Sequence, residues 1–499
     1  MHIRSNSWSR LLRAAWPWLL GSLCVAVPSA ASAAPPDPVV QQILRDISAS
    51  RIQQRVQKLV DFETRHTESE TASETRGIGA ARRWIQREFQ ACAQASGGRL
   101  QVSTQEWVEP AGRRISKPTT LVNVMATLPA RTRPVVPGAS PAAERVMVVS
   151  GHYDSRNSDV MDAQGAAPGA NDDASGTAVV MELACAMARH EFDATLVFMA
   201  VPGEEQGLLG AAHFAREARK LGTNIEAMIT NDIVGSATGD FGQRDPKRLR
   251  LFADGFDPLL RLLVQSQANR PADTDTHTEA AAAEAQANAV VRTRLQTIAL
   301  AGGSEDMPTH QLGRHLKAAG EAYLPGFTVQ LIQRRDRYLR GGDHLPFLER
   351  GYSAVRFTEP FENFRHQHQN LRTEGTVRFG DLAEFVEPDY VADVARINAA
   401  GLATLAMAPP APLEVKLDAS GLSNDSTLSW AASADPLVTG YRVVWRNTDS
   451  ATWQSAQDVG RVSRVTVPVS KDNVVFGVQA LSALGHASLA SYPLPLLRP

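Results

Sequence analysis

Up to about residue 407, apolar residues alternate between short continuous runs and stretches of helical spacing. The runs cover residues 121–126, 146–150, 196–201, 227–229, 249–252, 327–332 and 354–357, and the helical spacing covers residues 39–60, 77–95, 176–188 and 209–221. Continuous apolar runs separated by amphipathic helices are what a sheet buried on both faces requires. The pattern therefore predicts an α/β domain with a largely parallel central sheet flanked by helices.

The pattern changes beyond residues 408–412, an Ala-Pro-Pro-Ala-Pro linker. Short alternating strands follow at residues 428–430, 441–445, 465–469 and 474–481, which predicts a small all-β sandwich over residues 413–499. Trp430, the strand from Tyr441 to Trp445 and Phe476 resemble the pattern of a fibronectin type III domain. We assign this domain no partner.

The stretch from about residue 272 to 288, rich in Ala, Thr and Glu, lacks a clear apolar face. It is expected to be a surface insertion of the larger domain, which we take to span residues 34–407. The length of 499 residues is consistent with two to three domains.

Charge and the N-terminus indicate where the protein works. With 51 basic and 53 acidic residues, the formal charge of -2 gives no net attraction to nucleic acid or anionic lipid. Three arginines precede the apolar run 14–27, and small residues follow up to Ala33. This predicts a signal peptide over residues 1–33, cleaved after Ala33, because the run is shorter than the ~20 residues of a membrane span and contains Pro17. The mature protein is expected to be periplasmic or secreted, without a membrane span.

Three cysteines add little chemistry. Cys24 falls within the signal peptide, whereas Cys92 and Cys185 lie in helical patterns. An oxidising compartment permits a disulfide, but the helical setting favours two buried thiols. Neither cysteine has a neighbour at zinc-ribbon spacing, so cysteine is not expected to bind metal.

Polar residues follow several of the predicted strands, and in open α/β sheets the carboxyl ends of strands are where sites form. His152 follows the run 146–150 and offers an imidazole nitrogen to a metal, while Asp154 can orient the other ring nitrogen. A lone structural histidine is the alternative. Asp172 and Asp173 open a helix, where one of them can serve as an N-cap and the other, Asp172, can approach a metal pair.

A Glu-Glu pair between glycines follows the run 196–201. Because successive side chains of extended backbone diverge, one carboxylate can bind metal while the other faces a metal-bound water as a base. Asp232 follows the run 227–229, and His344 lies in a glycine-rich turn. The five segments together supply two histidines and three carboxylates, a complete set for two tetrahedral metals with a shared water.

Two motifs, Asn-Asp-Asp-Ala-Ser-Gly at residues 171–176 and Gly-Glu-Glu-Gln-Gly at residues 203–207, carry a resemblance over about residues 50–405. The chain resembles the zinc aminopeptidase family of metallopeptidases, metallopeptidase family twenty-eight, of the secreted bacterial leucyl aminopeptidase type. Glutaminyl cyclases and glutamate carboxypeptidases are relatives of that family. The resemblance implies a phosphorylase/hydrolase-like zinc exopeptidase fold and two zinc ions per chain.

The resemblance also implies a role for each candidate residue. One zinc would bind His152 and Asp232, the other would bind Glu205 and His344, and Asp172 would bridge them. Glu204 would act as general base on the water between the metals, Asp154 would hold His152, and the peptide bond between Asp172 and Asp173 would be cis. The carbonyl-polarising tyrosine of the family is not matched, because Asp343 precedes His344; Tyr338, Arg340, His366 and His368 are candidates for that role.

The resemblance favours an aminopeptidase that releases N-terminal residues from peptides or proteins. Other enzymes on the same metal site remain open, namely a dipeptidase, a carboxypeptidase or a glutaminyl cyclase. A noncatalytic binding protein that retains the fold is the third reading, although every ligand position carries a suitable residue. Serine hydrolases and mononuclear zinc proteases are disfavoured, because the chain contains neither a Gly-x-Ser-x-Gly nor a His-Glu-x-x-His motif.

Overall fold

The structure is a computed structural model that describes residues 36–132, 144–254 and 279–496. The predicted signal peptide and residues 272–278 of the predicted insertion lie outside the described residues. Across the described ranges, no helix combines the length and apolarity needed to cross a membrane.

An eight-stranded sheet forms the centre of the larger domain. Its strands are β1 Gln101–Glu109, β2 Thr119–Leu128, β3 Val146–His152, β4 Thr195–Val201, β5 Ile225–Asn231, β6 Arg248–Phe252, β7 Thr328–Ile332 and β8 Ala354–Thr358, in the order β1-β2-β4-β3-β5-β8-β6-β7. Strands β4, β3, β5 and β8 are parallel, whereas β2 and β6 join them antiparallel. The prediction of a largely parallel central sheet is confirmed.

Helices cover both faces of this sheet. One buried cluster draws on the helices Pro38–Asp46, Ala49–Val60, Gly77–Ala95, Gly176–Met187, Pro308–Tyr323 and Pro388–Ala406. The opposite face packs against the helices Leu209–Lys220 and Leu345–Leu348. Alternate residues of β4 enter the two clusters, as the two-residue period of a strand requires. Burial on both faces explains why the apolar runs of β3 and β4 are continuous.

A disulfide joins the helices Gly77–Ala95 and Gly176–Met187. Cys92 and Cys185 are bonded, with their Cα atoms 5.0 Å apart. The preference for two buried thiols was therefore wrong, because the packing of two helices distant in sequence brings the cysteines together. Beside the bond, the buried carboxylate of Glu182 pairs with Arg51 and Arg55.

Seven short strands form the C-terminal sandwich within the described residues up to 496. They are β11 Lys416–Asp418, β12 Ser426–Ser429, β13 Gly440–Asn447, β14 Ser455–Gly460, β15 Arg464–Val467, β16 Val474–Leu481 and β17 Leu494–Leu496; the hairpin of β9 Arg372–Glu374 and β10 Val377–Phe379 precedes them. Sheets β15-β12-β11-β17 and β14-β13-β16 enclose a separate apolar cluster that includes Trp430, Tyr441 and Phe476. The predicted all-β sandwich is confirmed, and its likeness to fibronectin type III stays a prediction.

The sandwich packs closely against the larger domain. Arg446 of β13 donates to Asp306 over 2.6 Å, and both side chains are buried. Leu489 joins the main core, and the Tyr492 hydroxyl donates to the Ala301 carbonyl over 2.8 Å. The helix Glu279–Leu300, which includes the second half of the predicted insertion, leads to this contact. The linker therefore does not separate two independent bodies.

Candidate metal centre

The candidate residues converge at one edge of the sheet. His152 ends β3, Glu204 and Glu205 follow the end of β4, and Asp232 follows the end of β5. Because β4, β3 and β5 are adjacent and parallel, their carboxyl ends lie side by side. Asp172 reaches the same edge from the irregular turn of residues 170–175, which precedes the helix Gly176–Met187.

Two groups of side chains at this edge are close enough to hold a metal ion. The first contains His152, Asp172 and Asp232, and the second contains Asp172, Glu205 and His368; the potential ligand atoms of each group lie within 4.8 Å of one another. Asp172 belongs to both groups. Its Oδ1 lies 3.1 Å from Nε2 of His152, and its Oδ2 lies 2.8 Å from Nε2 of His368. This is the placement that a bridging carboxylate needs.

His344 is absent from both groups. Its Nε2 lies 2.5 Å from the Arg335 carbonyl oxygen, and the ring is fully buried. His368 takes its place, with Nε2 3.0 Å from Oε1 of Glu205. The structure thus contradicts the placement expected for His344, because the loop after β8 folds back over the site and brings in a histidine from further along the chain. We replace His344 by His368 in the proposed ligand set.

The remaining candidates for polarising the carbonyl belong to neither group. Burial lowers the pKa of Arg340, but Glu362 outweighs it, and Asp172 and Asp232 are near enough to raise that pKa further. Tyr338 is largely exposed, Arg340 binds Glu362 over 2.6 Å, and His366 stacks on Phe385 with ring centres 3.7 Å apart. The sequence signal for His368 was the spacing of two histidines in the segment His-Gln-His. Because both histidines belong to this segment, the sequence does not tell which one could bind a metal. Only the fold decides it.

Asp154 holds several parts of the site together. Nδ1 of His152 lies 3.1 Å from the main-chain carbonyl oxygen of Asp154 and 3.5 Å from its Oδ1, and the Asp154 carboxylate accepts the amide protons of Glu204 and Glu205, each over 3.2 Å. The Thr67 hydroxyl donates to the same carboxylate over 3.1 Å. Asp154 therefore orients the imidazole, as predicted from its spacing, and also fixes the turn that carries both glutamates.

Asp173 and Asp381 fix the backbone around Asp172. Asp173 accepts the amide protons of His152 over 3.0 Å and of Gly176, the first residue of the following helix, over 2.9 Å. Asp381 accepts the amide proton of Asp172 over 2.7 Å, a contact that no local pattern indicated. The peptide bond between Asp172 and Asp173 is cis, as the resemblance implied.

Burial and close charges shift the protonation of the site. Burial raises the pKa of Glu204, and the neighbouring carboxylates add to the rise. Burial also raises the pKa of Asp232 to about 6 against the opposing charge of Arg356. For His368, burial lowers the pKa, but Glu205 and Asp172 outweigh it and raise the pKa to about 10. All three pKa values are raised, as expected where buried acidic groups lie close together around basic ones.

Two arginines contact the carboxylates of the groups directly. Arg156 donates from Nε to Oε2 of Glu205 over 2.9 Å, which leaves Oε1 facing His368. Arg356 is fully buried and lies 3.0 Å from Oδ1 of Asp232. Nothing local distinguishes Arg156 from a solvent-exposed arginine, and although Arg356 lies within the apolar run 354–357, the sequence does not indicate its partner.

The donor set fits zinc. Nε2 of His152 and Oε1 of Glu205 are buried, yet neither makes a hydrogen bond of acceptable geometry within the described residues. Buried polar atoms without partners are rare and need an explanation, which a bound ion supplies. Imidazole nitrogen and carboxylate oxygen are zinc ligands, and a carboxylate shared by two groups suits a pair of ions.

Comparisons with known proteins agree with this chemistry. The family model described as Peptidase family M28 matches residues 123–289. A probable zinc metalloprotease of Leptosphaeria maculans is 44% identical over 460 residues, which cover 92% of this chain and 98% of the relative. A second probable zinc metalloprotease, from Pyricularia oryzae, is 46% identical over 470 residues, covering 93% and 86%.

Among solved structures, the Legionella pneumophila LapA aminopeptidase is similar at 17% identity and a TM-score of 0.47, over 74% of each chain. A glutaminyl cyclase of Macrostomum lignano is similar at 16% identity and a TM-score of 0.48, over 76% of this chain and 97% of that one. Likeness at this level does not separate an aminopeptidase from a cyclase. The identity to the two metalloproteases over nearly the whole chain does decide the family: the chain belongs to peptidase family M28.

Proposed function

We propose that this protein is an exported dizinc aminopeptidase. One observation carries the proposal: each carboxylate oxygen of Asp172 faces a different histidine, at 3.1 Å and 2.8 Å. His152 and Asp232 would hold one zinc, Glu205 and His368 would hold the other, and Asp172 would serve both. When bound, zinc polarises a carbonyl group and makes a water molecule more acidic.

Glu204 is the general base in this proposal. It adjoins the ligand Glu205 but belongs to neither ligand group, and burial raises its pKa, which makes its carboxylate a stronger proton acceptor. Asp154 fixes its position through the Glu204 amide. Glu204 would accept a proton from the attacking water at its carboxylate and return that proton to the nitrogen of the leaving amine.

The unpartnered carboxyl group of Asp343 favours a substrate with a free N-terminus. Both carboxylate oxygens of Asp343 are buried and make no hydrogen bond within the described residues. Burial raises the pKa of Asp343 to about 8, and the unpartnered oxygens of this carboxyl group could accept hydrogen bonds from the α-amino group of a peptide. Such an anchor fixes the adjacent carbonyl in place, which a blocked N-terminus cannot use.

Two observations support export of the protein from the cytoplasm. The bond between Cys92 and Cys185 suits an oxidising compartment, such as the periplasm or the medium. The predicted signal peptide leads to the same compartment.

The roles of the two adjacent glutamates give the first test. Glu204→Gln should retain two zinc ions per chain and lower kcat by ~10²-fold or more, the scale of a lost general base. Glu205→Gln is the matched control and should instead lower zinc content, measured by elemental analysis after dialysis. Equal loss of zinc in both variants would show that the roles are wrongly divided.

The second test compares free and blocked substrates. Unblocked aminoacyl anilides should be hydrolysed with kcat/KM at least ~100-fold above their N-acetylated counterparts, a difference of roughly 3 kcal/mol. Peptides with N-terminal glutamine are assayed beside them. Cyclisation without hydrolysis would replace the aminopeptidase by a cyclase, and equal rates on both substrate forms would exclude an exopeptidase that needs a free amine.

A further inference from the structure

The tip of the β1-β2 hairpin lies at the same edge of the sheet as the metal centre. Strand β2 runs antiparallel to β4, and Val124 pairs with Ala200, so the start of β2 extends past the carboxyl end of β4. The hairpin tip, residues 110–118, therefore projects beside the turn that carries Glu204 and Glu205.

The tip is held in place by several contacts. The Gly112 amide donates to the Ile115 carbonyl over 2.8 Å, and the Ile115 side chain is buried. The Ser116 amide and hydroxyl both donate to Glu68, over 3.0 Å and 2.8 Å. A defined turn thus presents the two residues between Gly112 and Ile115, which are Arg113 and Arg114.

Arg114 contacts the metal centre. Its Nη1 donates to the main-chain carbonyl of the proposed ligand Glu205 over 2.7 Å, and its side chain is half-buried. Of the five N–H donors of a guanidinium, this is the one that has an acceptor within the described part of the chain. No carboxylate among the described residues forms an ion pair with Arg114, unlike Arg156, Arg340 and Arg356.

Other arginines near the site already bind carboxylates of the protein. Arg250, Arg337 and Arg340 bind Glu362, and Arg337 also pairs with Asp336. Arg156 contacts Glu205, whose negative charge would be taken up by a bound zinc. Arg114 differs from these arginines because its remaining guanidinium donors have no acceptor in the described part of the chain, and a substrate carboxylate could accept from them.

We propose that Arg114 binds a carboxylate of the substrate, so that the enzyme prefers peptides with a negative charge close to the bond that is cleaved. This inference rests on the proposed peptidase function and names its substrate class. The carboxylate is either an acidic side chain or the C-terminus of a short peptide, since both present the same planar pair of oxygens to the guanidinium.

Matched substrates that differ only in charge test the proposal. Glutamyl and glutaminyl anilides vary the first side chain, Ala-Glu-amide and Ala-Gln-amide vary the second, and Leu-Gly and Leu-Gly-amide vary the C-terminus. We expect kcat/KM at least ~10-fold higher for the charged member of one pair, the scale of a charge-assisted hydrogen bond. The pair that responds identifies the source of the carboxylate.

Arg114→Met should remove this preference, so that the ratio of kcat/KM between the charged and neutral members of the responding pair falls to about one, whatever the lost bond to the Glu205 carbonyl does to the rate on neutral substrates. Arg113→Met is the matched control, because it removes the same charge from the adjacent, exposed position of the same turn. Arg114→Lys should keep part of the preference. A preference that survives in Arg114→Met, or is lost equally in Arg113→Met, overturns the proposal.

Binding measurements separate this inference from the proposed function. The same pairs are titrated calorimetrically into zinc-loaded Glu204→Gln, with and without Arg114→Met. If no peptide is cleaved by the wild-type enzyme but the charged members bind more tightly through Arg114, the peptidase proposal fails and the carboxylate site stands. If wild-type cleaves neutral peptides and charge affects neither binding nor turnover, the carboxylate site is refuted.

Discussion

The ion pair between Arg446 and Asp306 is expected to hold the sandwich on the larger domain. Replacing Arg446 with Met keeps most of the apolar stem and removes the guanidinium. The two side chains are 2% and 0% exposed, so the change leaves a carboxylate in a site that solvent cannot reach. Breaking a buried pair by removing one partner costs about 3–5 kcal/mol. Asp306 keeps its second partner, Arg314, at 3.0 Å, so we expect the lower end, about 3 kcal/mol.

A matched control lies on the same strand. Arg442 pairs with Asp458 at 2.5 Å, but these side chains are 23% and 58% exposed. Exposed pairs contribute about 0–1 kcal/mol, so Arg442→Met should change the free energy of unfolding by no more than that. Both variants remove one positive charge from β13, which leaves burial as the difference between them.

Urea unfolding of the full chain, followed by tryptophan fluorescence and far-UV circular dichroism, measures both free energies. The double variant Asp306→Asn with Arg446→Met should cost less than the sum of the single changes, because the two groups act as a pair. Equal losses in Arg446→Met and Arg442→Met would refute the reasoning, since burial would then have no energetic effect at this contact.

Four further predictions concern the metals, the disulfide, the interface and pH. Asp172→Ala should lose both zinc ions after dialysis, because its carboxylate serves both groups; retention of one ion would contradict a bridge. Cys92→Ser with Cys185→Ser opens a link between positions 93 residues apart and should lower the free energy of unfolding by about 2–4 kcal/mol. Truncation after about Pro410 removes the contacts of the sandwich with the larger domain, so it should destabilise that domain. An unchanged melting temperature would refute this. Burial and two nearby guanidinium groups lower the pKa of His310 from 6.5 to about 4. The unfolded chain then binds the extra proton, so stability falls as pH drops from 6.5 to 4, and His310→Gln should reduce that slope by about 1.4 kcal/mol per pH unit.

Local patterns in the sequence were sufficient to predict the strands of the central sheet other than β1. The apolar runs at β3 and β4 reflect burial on both faces, a property of each strand that any neighbouring layer would require. Strand β1 was not predicted, because it lies at the edge of the sheet and most of its residues are at least partly exposed. A pattern of burial cannot reveal a strand that is barely buried.

The sequence also determined most of the proposed site. His152, the Glu-Glu turn and Asp232 each follow a predicted strand, and adjacent parallel strands must present their carboxyl ends together. Asp172 could be proposed as a bridge from its position before a helix. These placements depend on parallel polarity, which the alternation of runs and helices already implies, and on which strands are neighbours, which the fold decides.

Only the tertiary structure decided which histidine completes the site and what surrounds it. His344 and His368 both lie near glycine-rich or polar turns, and the folding of the loop after β8 brings His368 to Glu205. Cys92 meets Cys185, and Arg114 meets the Glu205 carbonyl, across long separations in sequence. Such contacts depend on how whole elements pack against each other in three dimensions. Local periodicity reports whether a residue is buried, but not which distant residue it will touch.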